Sequence, residues 1–600
     1  MWKPQNRNKD TKDTKTTIKE KLEESAKIKK KQEVDKKALN IAFTILAIFC
    51  IAIFSFAIVE KAFQNDTFYT IKIGQLIRTN GIDYMDHFSW HENLPYMYPH
   101  WLYDVIISLI YDFCGGYTGI YISTIILSIT MGILLYFTNK KISKNQVISF
   151  VITLGQMELM KAYIAARAQL VTFILFILAI LLIEKFLEKP KLKYAIGLII
   201  IPIIIANVHS AVWPFYFVLF LPYIGEYVVR VVIDAHIFHK LKTWFIKEEI
   251  KRTNKNLKKA NKEQAKKYKE KLLKLNKEIE EEQSKFETSI IKQNDRRKKP
   301  YKLILERNDN VVKLIIIIMI ICLFTGLLTP IKDMPYMYTY KIMQGNTTQS
   351  ISEHLPLTLI ENTPILITLT LTIALAIFTK VKLRLRDIFF FAGLTLLALM
   401  SRRQVSMLVL FGGLVVTRIL SDLIEKYDPK GTTDLMKYMT SVIGEILTIL
   451  LIFAISYSLY RGNINKDYVS TSTYPVEATK WIKENLDYKE IKIFNDYNYG
   501  SYLLLNDIPV FIDSRCDLYT PEFNGTYNKS KKKYEGKDIF TDYINISSIS
   551  TYYDTKFEYY GITHVMTKSN SKLNMLISRD SKYKQLYKDD HFVIYERLKE

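Results

Sequence analysis

Four cysteines in 600 residues, Cys50, Cys114, Cys322 and Cys516, are too few and too scattered to frame a disulfide scaffold or a zinc site. The chain also lacks a P-loop, a His-Glu-x-x-His pair and a Gly-x-Ser-x-Gly elbow, so cytosolic nucleotide chemistry has no support. No internal repeat is visible by eye. No small-residue cleavage site follows the first apolar run, which is longer than the core of a signal peptide and reads as a retained first helix.

What the sequence does have is long apolar blocks. Leu39 to Val59 contains no charge and matches the roughly 20 apolar helical residues that cross a hydrocarbon core. Comparable blocks recur as far as Tyr460. A mean hydropathy of +0.03 averages these blocks with strongly basic segments and hides both. Net charge is +23, which could suit a nucleic-acid binder. The placement excludes that partner, because Lys and Arg gather in short loops and in residues 1–38 and 235–311, as they do on the cytoplasmic side of a membrane protein.

With the Lys-rich N-terminus inside, eleven crossings are expected, near 39–60, 118–137, 146–163, 168–187, 193–208, 211–233, 312–330, 361–380, 387–400, 405–424 and 438–460. This threading puts the basic loops 139–145, 188–193, 380–386 and 425–430 on one side. The segment 101–113 is apolar but short and is expected to be re-entrant or interfacial. The expected architecture is an α-helical polytopic membrane protein. It has a basic tail (1–38), a transmembrane domain (39–460), and a C-terminal extracytoplasmic α/β domain (461–600). A plasma-membrane location follows.

Residues 235–311 contain no Gly and a single Pro, and apolar residues at spacings of three and four predict helix. One straight helix of ~50 residues would reach roughly 75 Å, so a hairpin or a helix lying on the anionic leaflet is expected. In the C-terminal part, YPVEATKWIKENL predicts a helix, IKIF, IPVFID and THVMT predict strands, and KQLYKDDHFVIYER predicts a hairpin turning at Asp589 and Asp590.

The loop 61–117 is long enough to be functional and is rich in aromatics, His and Asp. Asp66 lies just past the first helix, with Asp83, Asp86 and Asp104 further on; a carboxylate beside low-dielectric surroundings suits proton transfer, and equally suits capping of turns. The threading brings other polar residues to the same face: Arg167 and Gln169 in ARAQL, Asn207 and His209 in ANVHS, Glu353 in SEHLPL, and Arg402 and Arg403 in SRRQ. Ionisable groups at the ends of apolar helices are costly unless they pair or work. Guanidinium groups gathered there suit a phosphate-bearing lipid.

These residues resemble those of a bacterial membrane family in the GT-C superfamily of polyprenyl-phosphate-sugar-dependent glycosyltransferases. The resemblance covers most of the chain and runs through DTFYTIKIGQLIRTNG, DHFSW and HWLYD of the first loop and the four membrane motifs above. It continues through YNYGSYLLL and IPVFIDSRCDLY of the C-terminal domain. The chain departs from it in having Asn65 before Asp66, where many GT-C enzymes carry paired acids. It also has Arg-Ala-Gln and His-Ser-Ala where the close family has Arg-Pro-Gln and His-Gly-Gly.

The resemblance implies transfer of a sugar from a polyprenyl-phosphate donor, with inversion, to an extracytoplasmic glycan, lipid or protein acceptor. In that scheme Asp66 removes the acceptor proton, and Arg167 with Arg402 or Arg403 holds the lipid phosphate. Gln169, Asn207, His209 and Glu353 would bind substrate; His100, Asp86 and Asp104 would shape the site or hold a divalent cation, and the C-terminal domain would hold the acceptor. Two other readings stay open. One is a non-catalytic scaffold of an envelope or surface-polysaccharide machine. The other is a lipid-linked-sugar transporter, with Pro202 and Pro214 flanking Asn207 and His209.

Overall fold

A computed structural model describes residues 10–298, 302–306, 308–345, 351–358 and 362–598. The chain is a mostly helical membrane protein. Among the described residues, seven helical stretches are long and apolar enough to cross a membrane: Glu33–Ala57, Tyr117–Ser143, Ala168–Glu188, Ser210–Asp234, Asp309–Leu327, Arg402–Tyr427 and Val442–Ile464. The other four expected crossings are helices of 15, 17, 16 and 16 residues: Gln146–Met160, Leu192–Val208, Thr363–Phe378 and Leu385–Met400. All four are shorter than a full crossing of roughly 20 residues; the first and third end inside the expected 146–163 and 361–380, while the second and fourth slightly exceed the expected 193–208 and 387–400.

The helices used below are α1 (Asp10–Ala57), α2 (Asn65–Asn80), α3 (Trp101–Phe113), α4 (Tyr117–Ser143), α5 (Gln146–Met160), α6 (Ala168–Glu188) and α7 (Leu192–Val208). They continue as α8 (Ile237–Leu257), α9 (Lys262–Lys298), α10 (Met334–Gln344), α11 (Thr363–Phe378), α12 (Leu385–Met400), α13 (Gly413–Tyr427), α14 (Val442–Ile464) and α15 (Tyr497–Leu505). Helix α1 runs without a break from the charged tail into the first apolar block; residues 1–9 of that tail lie outside the described residues. The basic insert is the expected hairpin, α8 packed on α9. Its arms are tied where Glu282 accepts from Lys242 Nζ at 2.7 Å and bonds His239 Nδ1 at 2.7 Å.

Two hydrophobic cores organise the chain. One belongs to the helical bundle and is built from residues such as Phe43, Met131, Phe173, Ile205 and Phe411. The second joins the C-terminal domain to the first loop: Phe68, Ile71 and Ile73 of α2 and Tyr103 and Ile107 of α3 share it with Tyr499, Phe511 and Phe557. The first loop is therefore part of the C-terminal domain's core and not a flap over the bundle. In the domain, β1 (Ile493–Phe494), β2 (His564–Lys568), β3 (Tyr583–Lys588) and β4 (Phe592–Arg597) form a sheet in the order β1-β2-β4-β3. β1 and β2 are parallel; β4 is antiparallel to both neighbours. The expected IPVFID strand does not join this sheet. Val510 instead clamps the first loop, donating to Phe88 O at 3.1 Å and accepting from Trp90 N at 3.3 Å.

Candidate functional site

Asp66 lies in the first turn of α2, where a helix N-terminus favours an anion. Helix α2 packs so closely on α3 that a Cβ on Gly74 would sit 2.0 Å from Asp104 O, which only glycine permits. Close packing of these helices places the start of α3, with His100 and Asp104, beside Asp66. Asp104 is fully buried beneath His100, whose Nδ1 lies 3.3 Å from its Oδ1. Burial holds its carboxyl above the usual range, with His100 opposing. Tyr69 OH bonds His100 Nε2 at 3.4 Å from the other side.

Arg167 immediately precedes α6 and forms the ionic centre. It pairs with Asp66, lies 3.6 Å from Glu353, and donates to Gln64 Oε1 at 3.2 Å. Burial works against its charge, but Asp66 and Glu353 outweigh that and hold it fully protonated. His209, at the end of α7, is buried and bonds Thr172 Oγ1 at 3.1 Å; its pKa is driven well below the usual histidine range by burial and then by the nearby His100, Arg403 and Arg167. Ser210, where the resembling family has glycine, donates its hydroxyl to Pro99 O at 2.9 Å and so ties this bend to the first loop.

These groups line a cleft of about 1000 Å³, its open mouth included. Asp66, Tyr69, His100, Arg167, His209, Glu353 and Arg403 come from the first loop and the helix ends; Tyr497, Cys516 and Asp517 come from the C-terminal domain. Among the described residues Arg403 forms no ion pair within 4 Å. Asp517 accepts a hydrogen bond from Tyr338, and burial raises its carboxyl above the usual range.

Seven of the eleven expected site residues therefore meet on or beside this cleft: the six Asp66, His100, Arg167, His209, Glu353 and Arg403 on its wall, and Gln169 in a small adjoining pocket. Asp104 supports from below. The other three lie elsewhere. Asn207 pins helices together, accepting from Trp101 Nε1 at 3.2 Å and donating to Leu328 O at 3.0 Å. Arg402 straps the loop carrying Glu353, donating to Pro356 O at 3.3 Å and Thr358 Oγ1 at 3.1 Å. Asp86 is fully buried in a latch with the C-terminal domain, where Arg515 donates to it at 2.7 Å and grips Asp513 through Nε and Nη2 at 2.9 and 2.7 Å. Asp83, likewise, serves a turn, with Tyr98 donating to it at 2.9 Å. Sequence reasoning missed Asp517, Tyr338, Tyr497 and His354; all but Tyr338 sit inside the motifs SRCDLY, YNYG and SEHLPL, so the signal was there without a side to assign it.

Asn65 donates its amide to Tyr497 O at 2.8 Å, a bond no carboxylate could donate, and Asp66 is held by a guanidinium. Among the described residues no three His, Cys, Asp or Glu side chains gather in a way that could hold a metal ion.

A helical membrane bundle with a long first loop and a C-terminal mixed domain closing over one end of it is the GT-C fold. No protein-family model and no curated protein matches the chain. Among solved structures, it is similar to the archaeal oligosaccharyltransferase AglB from Archaeoglobus fulgidus in complex with an inhibitory peptide and a dolichol-phosphate. The TM-score is 0.50 at 10% identity, over 93% of this chain and 74% of that one. The apo form of the Archaeoglobus fulgidus oligosaccharyltransferase gives 0.49 at 10% identity, over 88% and 69%. At such identity the likeness establishes the fold alone.

Proposed function

We propose that the chain is a glycosyltransferase that moves a sugar from a polyprenyl-phosphate donor to an extracytoplasmic glycan, lipid or protein acceptor. The single observation that carries this reading is Arg403, a guanidinium with no ion-pair partner among the described residues, on the wall of a cleft at the end of a membrane bundle, beside the Arg167 pair. Phosphate oxygens accept from guanidinium through paired donors, and a lipid phosphate reaches a membrane-surface cleft without leaving the bilayer. The four basic loops at the opposite end of the bundle support a cytoplasmic position for that end and an extracytoplasmic one for the cleft.

In this reading the donor phosphate sits between Arg167 and Arg403, which stabilise the charge that develops as it leaves. Asp66 uses Oδ2 in its pair with Arg167, and a carboxylate has a second oxygen with which to take the acceptor proton. The acceptor oxygen or nitrogen then attacks the anomeric carbon from the face opposite the phosphate, the sugar–phosphate bond breaks with its electron pair going to the phosphate, and the sugar inverts. A phosphate leaves without a general acid, so one carboxylate suffices, unlike the two of glycoside hydrolysis. Asp517 and Tyr497 give the acceptor a polar wall on the C-terminal domain.

A scaffold reading keeps one observation in its favour: Asp66 is engaged by Arg167 within the chain. The test is release of polyprenyl phosphate from polyprenyl-phosphate-sugar donors in membranes containing wild-type or Asp66→Asn protein. Release by the wild type and its loss in the variant, at equal membrane insertion, is the expected result. Equal release by both would end the catalytic role of Asp66.

A further inference from the structure

Residues 526–537 of the C-terminal domain hold five lysines and a single carboxylate, Glu535. A charge run of this kind is ordinarily just a solvated surface, but here it is built on a pinned hairpin. Thr526–Asn528 pairs antiparallel with Lys533–Glu535. Asn524 closes the base, donating to Lys537 O at 2.8 Å and accepting from Lys537 N at 2.9 Å. Two glycines meet there: a Cβ on Gly536 would lie 2.7 Å from Gly525 Cα. At the tip, Asn528 Oδ1 accepts from Ser530 N at 3.0 Å and from Lys531 N at 3.1 Å. Lys531 pairs with Glu535 at 2.7 Å; Lys529, Lys532 and Lys533 form no ion pair within 4 Å among the described residues.

One face of the hairpin is aromatic. Tyr527 and Tyr534 are direct cross-strand partners, which puts both rings on the same face, with centroids 5.1 Å apart. From Tyr534 a chain of contacts runs into the cleft. Lys341 of α10 lies over the Tyr534 ring at 6.0 Å and over the Phe523 ring at 5.4 Å. Phe523 meets Tyr338 at 5.1 Å between centroids, and Tyr338 donates to Asp517. Phe523, Tyr338 and Asp517 all line the cleft. Burial, with Tyr340 and Tyr527 close by, raises the Tyr534 hydroxyl above the usual range, so Tyr340 belongs to the same strip. Its outer rings stand in water: Tyr527 is 47% exposed and Tyr340 51%. An apolar patch left open in this way marks a binding surface.

The chemistry of the strip selects its occupant. A sugar ring presents C–H bonds on its face and hydroxyls at its rim; the C–H face packs on the electron-rich face of an aromatic ring, and the rim reaches tyrosine hydroxyls. A peptide would instead seek an open strand edge, and strands of three residues offer little of one. A lipid acceptor would keep its chain in the bilayer, whereas the strip runs over the C-terminal domain. The lysines beside the rings call for negative charge. We propose that the strip is the acceptor subsite and that the acceptor is an anionic glycan, its sugars stacked on the tyrosines and its charged groups on Lys529, Lys532 and Lys533. The inference rests on the proposed function, which supplies the reaction, and narrows its acceptor to one class.

The test is equilibrium binding, by fluorescence anisotropy, of labelled probes to the full chain in phosphatidylcholine nanodiscs. The probes are pentamannuronate, a phosphate-bearing mannopentaose, neutral mannopentaose, and pentaglutamate, which carries the charge of the first without its rings. Wild type should bind an anionic glycan about tenfold more tightly than mannopentaose or pentaglutamate, and the glycan it prefers tells carboxylate from phosphate. Tyr527→Ala with Tyr534→Ala should weaken glycan binding about tenfold and leave pentaglutamate unchanged. Lys529→Gln, Lys532→Gln and Lys533→Gln together should weaken it to a similar degree and flatten its salt dependence. The same exchange at Lys572, Lys584 and Lys588, exposed elsewhere on the domain, should change it less than about twofold. If pentaglutamate binds as tightly as either anionic glycan, the strip is a charge patch and the inference is overturned. If neither anionic glycan binds while polyprenyl phosphate does, the acceptor assignment is overturned and the proposed function stands. If polyprenyl phosphate itself does not bind the wild type, the proposed function fails and the acceptor role with it.

Discussion

Two ionic clusters sit near opposite ends of the bundle, and they are built differently. At the end away from the cleft, Arg384, Arg386 and Arg418 meet Glu184, Glu306 and Asp387. Arg386 lies 3.0 Å from Glu306 and 3.7 Å from Glu184, Arg384 lies 2.9 Å from Glu306, and Arg418 pairs with Asp387. Three guanidinium groups face three carboxylates, Tyr223 donates to Glu184 at 3.0 Å, and the gap among them is about 300 Å³. At the cleft, Arg167 faces Asp66 and Glu353 while Arg403 has no such partner among the described residues, and about 1000 Å³ stands open in front of them. The same residue types make a lock in one place and a receptor in the other. What separates them is whether charge is matched within the chain, and the sequence pattern, which sees only Arg and carboxylates at helix ends, does not report that.

Substitutions can break this contrast. The largest effect is expected from Asp66→Asn, which should lower sugar transfer about a hundred- to ten-thousand-fold, the range of a lost general base, with an unchanged unfolding temperature measured by light scattering or tryptophan fluorescence. Arg418→Met should do the reverse. Breaking a buried pair leaves uncompensated charge worth about 3–5 kcal/mol, so unfolding should shift strongly while transfer per folded molecule is kept. Arg403→Ala should weaken polyprenyl-phosphate binding about ten- to a hundredfold, as for hydrogen bonds to a charged group, without the thermal penalty of Arg418→Met. Equal thermal penalties for the two would erase the distinction between lock and receptor.

The smallest expected effect concerns the seam that fixes the cleft's roof. His91 donates a ring N–H to Phe511 O at 2.8 Å, and burial pushes its pKa down to about 4 from an ordinary value of about 6.5. A depressed folded pKa means that its share of the stability is complete above about 6.5 and is lost as pH falls through 4. Hydrogen exchange of residues 86–96 should therefore quicken over that interval in wild type, and the acceleration should flatten in His91→Phe.

Much of the fold was legible, for physical reasons. Apolar runs declare themselves through length, the 235–311 hairpin through its spacing and its lack of glycine, and the β3–β4 turn through Asp589 and Asp590. The crossing expected at 312–330 was overextended because apolar loop residues such as Leu328 continue a run without continuing a helix. On the cleft wall, Asp66, Arg167 and Arg403 were legible because charge at the end of an apolar helix is conspicuous. The pairing of Asp86 was not legible because its partner, Arg515, is 429 positions away. Asp517 was missed because its place depends on Val510 pairing with the first loop instead of with the sheet. Where the resembling enzymes carry an acid, Asn65 donates its amide to Tyr497 O, a contact the sequence did not announce.

The central claim is that the cleft is a lipid-phosphate site, and equilibrium binding of polyprenyl phosphate to the protein in nanodiscs tests it most directly. Saturable binding that is lost in Arg167→Ala and weakened in Arg403→Ala, but kept in Asp66→Asn, is the predicted result. Binding by the wild type no greater than by an unrelated membrane protein would contradict it.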